Sequence, residues 1–481
     1  VQGRFWLVAR PAGRYIGPMD THLDTHLDIE RCRLARLSRD PRFDGEFFLA
    51  VKTTGIYCRP VCPARPPAEK NVRYYRMASQ AANAGYRPCL RCRPESAPGS
   101  PAWQGTSVTV RRALQLIHDG ALNDGTLTQL ALRLGIGERY LRKLFQQELG
   151  VSPQAVALNQ RLLFAKKLLA ETSMPITEVA FASGYGSVRR FNSALREHFH
   201  LTPTQIRGKP RAPADGAPIS LQLHYRPPYD WRGVIAFFAH HEVAGVESVG
   251  EHHYRRNFSC NGEPAWLEIG PGKNRDALCL TLQLPDHRQL QPTVNRVRRM
   301  FDLDANPTAI GQSLSRSPQL STLLGASPGT RSPGHWSLFE ASIRAIVGQQ
   351  VSTIAARGIC GRLAQTCSAG GHIVFPRAAA IASLEDSHFP MPGRRRDTLR
   401  TLCRQFSGRE DELDLEALAN LKGVGPWTVA MAAIRGHGEP DLFPNGDLGL
   451  KNAWQALGGN PKELQHDSVK WSPWRSYAAN L

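Results

Sequence analysis

Four cysteines stand in two close pairs whose spacing suits a bound metal ion. Cys58 and Cys62 are separated by three residues, Cys89 and Cys92 by two, and 26 residues lie between the pairs. Two short spacings let four thiolates converge on one ion, the arrangement of a tetrahedral zinc site. The alternative is four unrelated core cysteines, but both pairs lie among arginine and proline rather than in apolar runs. The spacing therefore predicts one Zn²⁺, and taken alone it predicts only a closed, inert site.

The residues around these cysteines carry a longer pattern, which runs through three segments: residues 47–60, 62–65 and 85–94. This pattern closely resembles the metal-binding domain of the Ada family. The resemblance implies that the four cysteines bind zinc and that Cys58 accepts a methyl group from a methyl phosphotriester in DNA. Contacts with the target phosphate are implied for three residues: Thr54, Arg65 and Arg91. A methylated cysteine does not readily lose its methyl group, so one transfer per molecule is expected.

The charge balance agrees with a reaction on DNA. The chain has 60 Lys and Arg against 41 Asp and Glu, a formal net charge of +19 over 481 residues. Such an excess favours a polyanion as partner, and nucleic acid is the most common one. Residues 51–100 alone hold nine basic and two acidic residues. A zinc ion keeps its cysteine ligands deprotonated at neutral pH, so a nucleophile exists there without a general base.

An internal repeat between residues 106 and 207 predicts a second DNA-binding element. Segment 127–135 recurs as segment 176–184, and each copy ends in a glycine that precedes a basic amphipathic helix, at 138–149 and 187–199. Apolar residues three and four positions apart around a turn glycine are typical of a helix-turn-helix. The alternative is a helical spacer with a solvated charged face, which the repeat disfavours.

Two such units, joined by a helix over 160–171, resemble the DNA-binding domain of the AraC family, whose signature is similar to segment 184–191. The first residues of the second helix in each unit meet base edges. By position these are Glu138, Arg139, Arg142 and Lys143 in the first unit, and Ser187, Arg189, Arg190 and Asn192 in the second. The sequence leaves open which of them read bases and which hold phosphates. Activators of the Ada family place this domain after the zinc domain, which implies RNA polymerase as a further partner.

The C-terminal half carries a glycine turn and a carboxylate that suit a reaction on the DNA sugar. Residues 421–428 place Gly423 and Gly425 between two helical stretches, and Asp447 follows downstream. A helix that begins at Gly425 has free backbone N–H groups that can hold a phosphate. The turn alone is weak evidence, and a helix N-cap is an alternative role for Asp447.

Three further segments extend this pattern: residues 225–231, 344–352 and 471–478. Together with the turn they resemble the 3-methyladenine DNA glycosylase II (AlkA) family of helix-hairpin-helix enzymes over residues 220–481. The resemblance implies hydrolysis of the N-glycosidic bond of a flipped-out alkylated purine, with Asp447 stabilising the cationic sugar. Members with lyase activity carry lysine at the position of Trp427, so a monofunctional glycosylase is expected. Gln350, Gly423 and Gly425 are expected to bind DNA, and Trp427 to line the base pocket, with Trp231, Trp474 and Tyr477 as weaker candidates.

The chain departs from this family's pattern at three points. Gln350 is polar where the family often has an apolar wedge, and Met431 stands at the position of a familiar pocket tyrosine. The chain stops at Leu481, before the family's last helix would finish. Ada activators usually end in a guanine-O6 methyltransferase, but its Pro-Cys-His-Arg tetrapeptide is absent. The three cysteines after residue 300 are therefore interpreted as structural.

These patterns predict a multidomain α+β protein in a reducing cytoplasm, since ten cysteines form no disulfide pattern and no apolar run approaches the ~20 residues of a membrane span. The expected parts are an unstructured lead (1–25), a small α/β zinc methyl-acceptor domain (26–96), an all-α AraC-type domain (105–207), a small sheet-and-helix subdomain (219–300) and an all-α glycosylase domain (301–481). Linkers are expected at 94–101 and 208–218. Two alternatives are a transcription factor whose glycosylase half only binds DNA, and a glycosylase whose zinc domain is structural.

Overall fold

The computed structural model describes residues 27–98, 108–208, 217–272, 275–368 and 371–481, and the expected lead at residues 1–25 lies outside these ranges. Within them the chain has the predicted α+β architecture. No helix in these ranges is long and apolar enough to cross a membrane.

The first part, here called the zinc module (residues 27–98), is a four-stranded sheet with two helices. Its elements are α1 Ile29–Ser38, β1 Phe48–Val51, β2 Ile56–Cys58, β3 Val72–Tyr75, α2 Ala78–Asn83 and β4 Arg87–Pro88, with the strand order β3-β1-β2-β4. Strand β1 is buried along its length because it is an inner strand of apolar residues. Strands β2 and β4 pair in parallel, with Tyr57 opposite Pro88. The residues that follow this pair, Cys58 and Cys89, are therefore neighbours across the sheet.

The second part, the helix-turn-helix module (residues 108–208), consists of seven helices. They are α3 Val108–His118, α4 Leu127–Arg133, α5 Glu138–Leu149, α6 Pro153–Glu171, α7 Ile176–Ala182, α8 Val188–Phe199 and α9 Pro203–Arg207. The sequence repeat corresponds to the pairs α4–α5 and α7–α8, as predicted. The joining helix α6 begins earlier than expected, because Pro153 occupies its first turn and the Ser152 hydroxyl accepts from Ala155 N–H.

The third part is a five-stranded antiparallel sheet with two helices. The elements are β5 Ile219–His224, α10 Trp231–His241, β6 Glu247–Val249, β7 Tyr254–Cys260, β8 Glu263–Pro271, β9 Ala277–Gln283 and α11 Leu290–Met300, with the strand order β5-β9-β8-β7-β6. Alternate residues of β7 are buried, which matches the period of two of a sheet with one face on the core.

The remaining chain is helical. It contains α12 Pro307–Leu314, α13 Pro318–Ala326, α14 Leu338–Val347, α15 Thr353–Cys367, α16 Ala378–Ser383, α17 Gly393–Gln405, α18 Leu415–Ala419, α19 Pro426–Ala432, α20 Leu448–Ala456, α21 Leu464–Ser468 and α22 Arg475–Ala478. Helix α19 continues into a π-helical turn at Ala433–His437. Helix α14, which is buried along almost its whole length, packs against α19, α17 and this π-turn, and so forms the centre of the domain.

Buried polar contacts join these parts. Lys166 of α6 donates to Glu95 Oε2 (2.6 Å) and to the Cys89 carbonyl (2.8 Å) of the zinc module. Arg226, beyond β5, donates from Nε to the Asp44 carbonyl (2.8 Å) and pairs with Glu46 (3.2 Å). A linker was expected over residues 94–101, but its first residues do not form one. Residues 94–96 form a 3₁₀ turn, and the bond from Lys166 to Glu95 holds this turn against α6. Of the second expected linker, residues 209–216 lie outside the described ranges.

Candidate functional site

The four cysteines predicted from spacing come together at one end of the zinc-module sheet. Cys58 ends β2 and Cys89 follows β4, while a tight turn with Cys62 N–H donating to the Arg59 carbonyl (3.2 Å) returns Cys62 to the same place. The sulfur atoms of these residues and of Cys92 all lie within 4.8 Å of one another. Cys58, Cys89 and Cys92 are buried and Cys62 is partly exposed.

This sulfur cluster has the donor chemistry of a zinc site. A tetrahedral Zn²⁺ takes four thiolates at about 2.3 Å, and four sulfurs this close need only small shifts to reach that geometry. Contacts with the sulfurs of Cys62 and Cys89, together with burial, raise the pKa of Cys58 above its usual range. Four thiolates this close repel one another, and a bound cation offsets that repulsion. The residues fit the ion.

Two charged side chains that the sequence analysis missed support the cluster. The backbone N–H of Arg59 donates to Cys92 Sγ (3.3 Å), and its guanidinium donates to the Cys92 carbonyl (3.0 Å). The same guanidinium forms a buried ion pair with Asp44. Burial is the largest single effect on the pKa of Arg59 and lowers it, but the hydrogen bond and charge of Asp44 and the nearby Cys92 and Glu95 together raise that pKa above its ordinary value. No local pattern around Asp44 signalled this role.

The three residues expected to meet the target phosphate are available to solvent. Thr54, Arg65 and Arg91 are all exposed on the zinc module. Thr54 lies in the turn between β1 and β2, and its hydroxyl donates to the Val51 carbonyl (3.4 Å). The two arginines lie close in sequence to Cys62 and Cys92, so the cations are near the thiolate centre.

The candidate base-reading residues differ in solvent exposure and in the hydrogen bonds that their side chains already make. Arg139, Arg189 and Arg190 are exposed, as are Arg142 and Lys143. Glu138 accepts from Arg142 (2.7 Å) and from Thr128 (2.7 Å), so this glutamate fixes the start of helix α5. Ser187 is the N-cap of helix α8 and accepts from Arg190 N–H (3.3 Å). The side chain of Asn192 is partly buried, with an oxygen that bonds to no described residue.

A cavity of about 1240 Å³ lies beside the glycine turn. Its wall includes Gln350, Gly423, Gly425, Trp427 and Asp447, which are all the site residues predicted for this half of the chain. Trp427 Nε1 donates to Asp447 Oδ2 (2.8 Å), while Leu450 N–H donates to Asp447 Oδ1 (3.0 Å). Asp447 is thus the N-cap of α20, as the alternative interpretation expected, and it also lies on the cavity wall.

The two turn glycines have different reasons to be glycine. Gly423 has φ +92°, and a Cβ there would lie 2.2 Å from Thr398 Oγ1, so the free protein needs glycine. Gly425 is the N-cap of α19 with φ −100°, and a Cβ there meets no atom within 4 Å. The space around Gly425 is therefore open, and the described part of the chain does not itself require glycine there. Gln350, also on the cavity wall, adopts φ +55°.

Three aromatic candidates for the base pocket lie elsewhere. Trp231 stacks on Phe301 and donates to the Glu251 carbonyl (2.9 Å). Trp474 and Tyr477 are buried in the core formed by α12, α20 and α22. These three predictions are wrong, because an aromatic side chain in a helical domain more often fills the core than a ligand site.

Family models match three consecutive stretches of the chain. They are the metal binding domain of Ada over residues 31–95, a helix-turn-helix domain over 130–209 and the AlkA N-terminal domain over 220–337. A protein of Mycobacterium tuberculosis described as a probable bifunctional transcriptional activator/DNA repair enzyme AlkA is 38% identical over 475 residues, 94% of this chain and 95% of that protein. The chain belongs to this AlkA activator/repair family.

Two partial relatives correspond to the two halves of the AlkA activator/repair family. The DNA-3-methyladenine glycosylase 2 of Escherichia coli is 29% identical over 53% of this chain and 94% of its own length. The bifunctional transcriptional activator/DNA repair enzyme Ada of Escherichia coli is 35% identical over 36% of this chain and 47% of its own length. With the four converging sulfurs, the match to the metal binding domain of Ada confirms the predicted zinc cofactor.

The cavity of this family member also contains residues that the sequence analysis missed. Four of its lining residues come from three separate helices and a loop: His241, His335, Arg344 and Arg435. Burial lowers the pKa of His241 to about 4 and that of His335 well below its usual range, so both imidazoles are neutral at pH 7. Arg435 lies one helical turn beyond Met431, the position at which the chain departs from the family's pocket tyrosine. Its spacing from Met431 is the sequence signal that could have placed Arg435 at the cavity.

Proposed function

We propose that this protein repairs alkylated DNA by two reactions and uses the first to activate transcription. The observation that carries the proposal is the presence, in one chain, of a four-sulfur centre at Cys58 and a cavity that holds Asp447 beside Trp427. The proposed substrates are a methyl phosphotriester for the first reaction and an alkylated purine of the 3-methyladenine type for the second. Because its target is genomic DNA, we place the protein in the cytoplasm.

In the first reaction Cys58 is the nucleophile. Its sulfur attacks the methyl carbon of the triester, so that a C–S bond forms, the C–O bond breaks and the phosphate leaves as an ordinary diester anion. Bound zinc, held by Cys58, Cys62, Cys89 and Cys92, supplies the ionised state of the sulfurs. Thr54, Arg65 and Arg91 contact the target phosphate. A zinc-bound thioether does not readily lose its methyl group, so each molecule reacts once.

This methylation also serves as the proposed signal. It removes one negative charge from a surface that faces the DNA backbone, so repulsion falls and affinity for DNA rises. We expect a gain of about 1–3 kcal/mol, the usual scale of coupling between two sites. The exposed arginines of α5 and α8 then select the promoter, and RNA polymerase is recruited there. Lys166, which bonds to the Cys89 carbonyl and Glu95, supports this coupling because it ties α6 to the thiolate centre.

In the second reaction Asp447 is the catalytic carboxylate. The damaged base is flipped into the cavity, and its bond to the sugar carbon breaks as a cationic sugar develops. The Asp447 carboxylate stabilises that charge and orients a water molecule, whose oxygen bonds to the sugar carbon. The cationic base leaves as a neutral molecule with the electron pair of the broken C–N bond, and the proton of the water passes to solvent. Trp427 presents an aromatic face to an electron-poor base. Since Trp427 stands where a lyase has lysine, the strand stays intact and the enzyme is monofunctional.

One preparation tests both reactions. The protein is incubated with methylated duplex DNA, the released bases are separated by chromatography, and the protein is digested for mass spectrometry. We expect release of 3-methyladenine without strand cleavage, and one added methyl group on the peptide that contains Cys58. A methyl group on another residue, or trapping of the protein on DNA by borohydride, would contradict the proposed roles of Cys58 and Trp427.

A further inference from the structure

One side chain joins two segments that border the cavity. Residues 348–352, here called the cavity loop, connect α14 to α15, and all of them line the cavity. The side-chain amide of Gln349 donates to the Gly423 carbonyl (3.0 Å) and to Thr428 Oγ1 (3.0 Å). A glutamine amide has two N–H groups. One side chain of the cavity loop is therefore bonded to both the glycine turn and the first turn of α19.

The glycine turn also has supports that do not involve Gln349. The Val424 N–H closes the turn on the Leu421 carbonyl (3.1 Å). From α17, Thr398 Oγ1 donates to the Lys422 carbonyl (2.9 Å). These two bonds hold the backbone that leads to the N–H groups at the start of α19. The bonds from Gln349 have a different effect, because they determine where the cavity loop lies relative to the turn.

The cavity loop needs such an anchor because its backbone is strained at one position. Gln350 has φ +55°, in the left-handed region that residues other than glycine rarely adopt. A conformation of this kind persists only where surrounding contacts hold it. The side chain of Gln349 supplies two of those contacts. Gln350 and Val351 are exposed, so the residues that follow the anchor are available to DNA.

Gln349 also reaches the helix that carries the indole bonded to the carboxylate. Thr428 is buried in the first turn of α19 and directly follows Trp427. Trp427 Nε1 donates to Asp447 Oδ2 (2.8 Å). A continuous set of contacts therefore runs from the cavity loop through α19 to Asp447. The glycine turn, the cavity loop and the carboxylate are held in one arrangement in the free protein.

We propose that Gln349 is a positioning residue that holds the cavity loop against the glycine turn while a damaged nucleotide leaves the stack. The inference rests on the proposed glycosylase function and adds a residue needed to open the duplex. Rotation of a nucleotide out of the duplex costs the energy of unstacking and unpairing. The exposed side chains of the cavity loop offset more of that cost when their place is fixed before DNA binds. Gln349 thus promotes the opening of a paired nucleotide and does not act on the bond that is cleaved.

The test compares a paired with an unpaired substrate. Two duplexes carry one 3-methyladenine each, opposite thymine in the first and opposite an abasic-site analogue in the second, and base release is measured under single-turnover conditions. Gln349→Met keeps the length of the side chain and removes both donors. We expect it to slow release from the paired duplex by about 10-fold, the scale of one or two neutral hydrogen bonds. Release from the unpaired duplex should slow by less than about threefold, because opening costs less there.

Two further variants serve as controls. Thr398→Val removes a support of the glycine turn and leaves the bonds of Gln349 in place, so it should slow both duplexes by the same factor. Thr428→Val removes one of the two acceptors of Gln349 and should reproduce part of the effect on the paired duplex. Added to Gln349→Met it should slow release no further, because the two residues act through one bond. Thermal unfolding of each variant shows whether it folds.

A fluorescent base next to the lesion gives a second readout that does not depend on base release. The fluorescence of 2-aminopurine rises when its neighbours unstack, and we expect a smaller rise with Gln349→Met than with wild-type protein. Equal slowing of the two duplexes would mean that Gln349 only supports the fold, and unchanged rates would mean that the loop needs no anchor. Either result overturns the inference. If the wild-type protein opened the duplex but released no base, the proposed function would be refuted, and the fluorescence would still decide the role of Gln349.

Discussion

The sharpest prediction concerns Asp447→Asn, because the structure shows what each oxygen of this carboxylate does. One oxygen caps helix α20 through Leu450 N–H and the other accepts from Trp427 Nε1. Asparagine has one carbonyl oxygen and one amide group. When that oxygen keeps the cap, the amide meets the indole N–H donor to donor, and the bond to Trp427 is lost. We expect destabilisation by about 1 kcal/mol, the net value of one hydrogen bond.

The catalytic loss should be much larger than the loss of stability. Removing one preorganised electrostatic stabiliser typically slows an enzyme 10²- to 10³-fold, which is about 2.7–4 kcal/mol. The assay is single-turnover release of 3-methyladenine from alkylated duplex DNA, with binding of damaged DNA measured in parallel. We expect base release to fall at least ~10²-fold while binding stays within a few-fold of wild type.

Trp427→Phe is the matched control for this prediction. It keeps an aromatic face and the charge of Asp447, but it removes the same hydrogen bond. Its rate should fall by about 10-fold or less, the scale of a single neutral hydrogen bond. The reasoning about charge fails if Asp447→Asn stays within threefold of the wild-type rate, or if Trp427→Phe is slowed as much as Asp447→Asn.

Three further predictions concern the metal, the turn and pH. Cys62→Ser should release zinc and unfold the zinc module, since small zinc modules draw folding energy from the ion; full metal content by atomic absorption would contradict the site. Gly423→Ala should lower the melting temperature because its Cβ meets Thr398, whereas Gly425→Ala should fold normally and lose affinity for DNA, as titration would show. Burial raises the pKa of Asp302 from 3.8 to about 6. Because the folded protein favours the neutral carboxyl, Asp302 stabilises the fold fully below about pH 4, and this part of the free energy of unfolding is lost as pH rises through 6. Asp302→Asn should therefore remove this pH dependence of the free energy of unfolding, as measured by denaturant titration.

The spacing of residues along the chain was sufficient to predict a structural feature wherever its residues are close in sequence. The two cysteine pairs predicted a zinc site because each short loop brings two sulfurs together, and the structure unites all four. Helix α5 has the predicted bounds and α8 begins one residue later than predicted, because the 3.6-residue period of apolar side chains is a local property. The glycine turn and the helix that begins after Gly425 were also predicted from a few adjacent residues.

Only the tertiary structure decided which distant side chains meet. Asp44 supports the thiolate centre through Arg59, and Arg435 reaches the cavity between Pro333 and Asn480. These partners are separated by 15 to 102 residues in the chain. A lone aspartate or arginine has no period or spacing that distinguishes it from a solvated surface charge. The sequence by itself therefore determined the zinc-binding cysteines and predicted the carboxylate beside the glycine turn, whereas long-range packing decided the burial, charge compensation and shape of their surroundings.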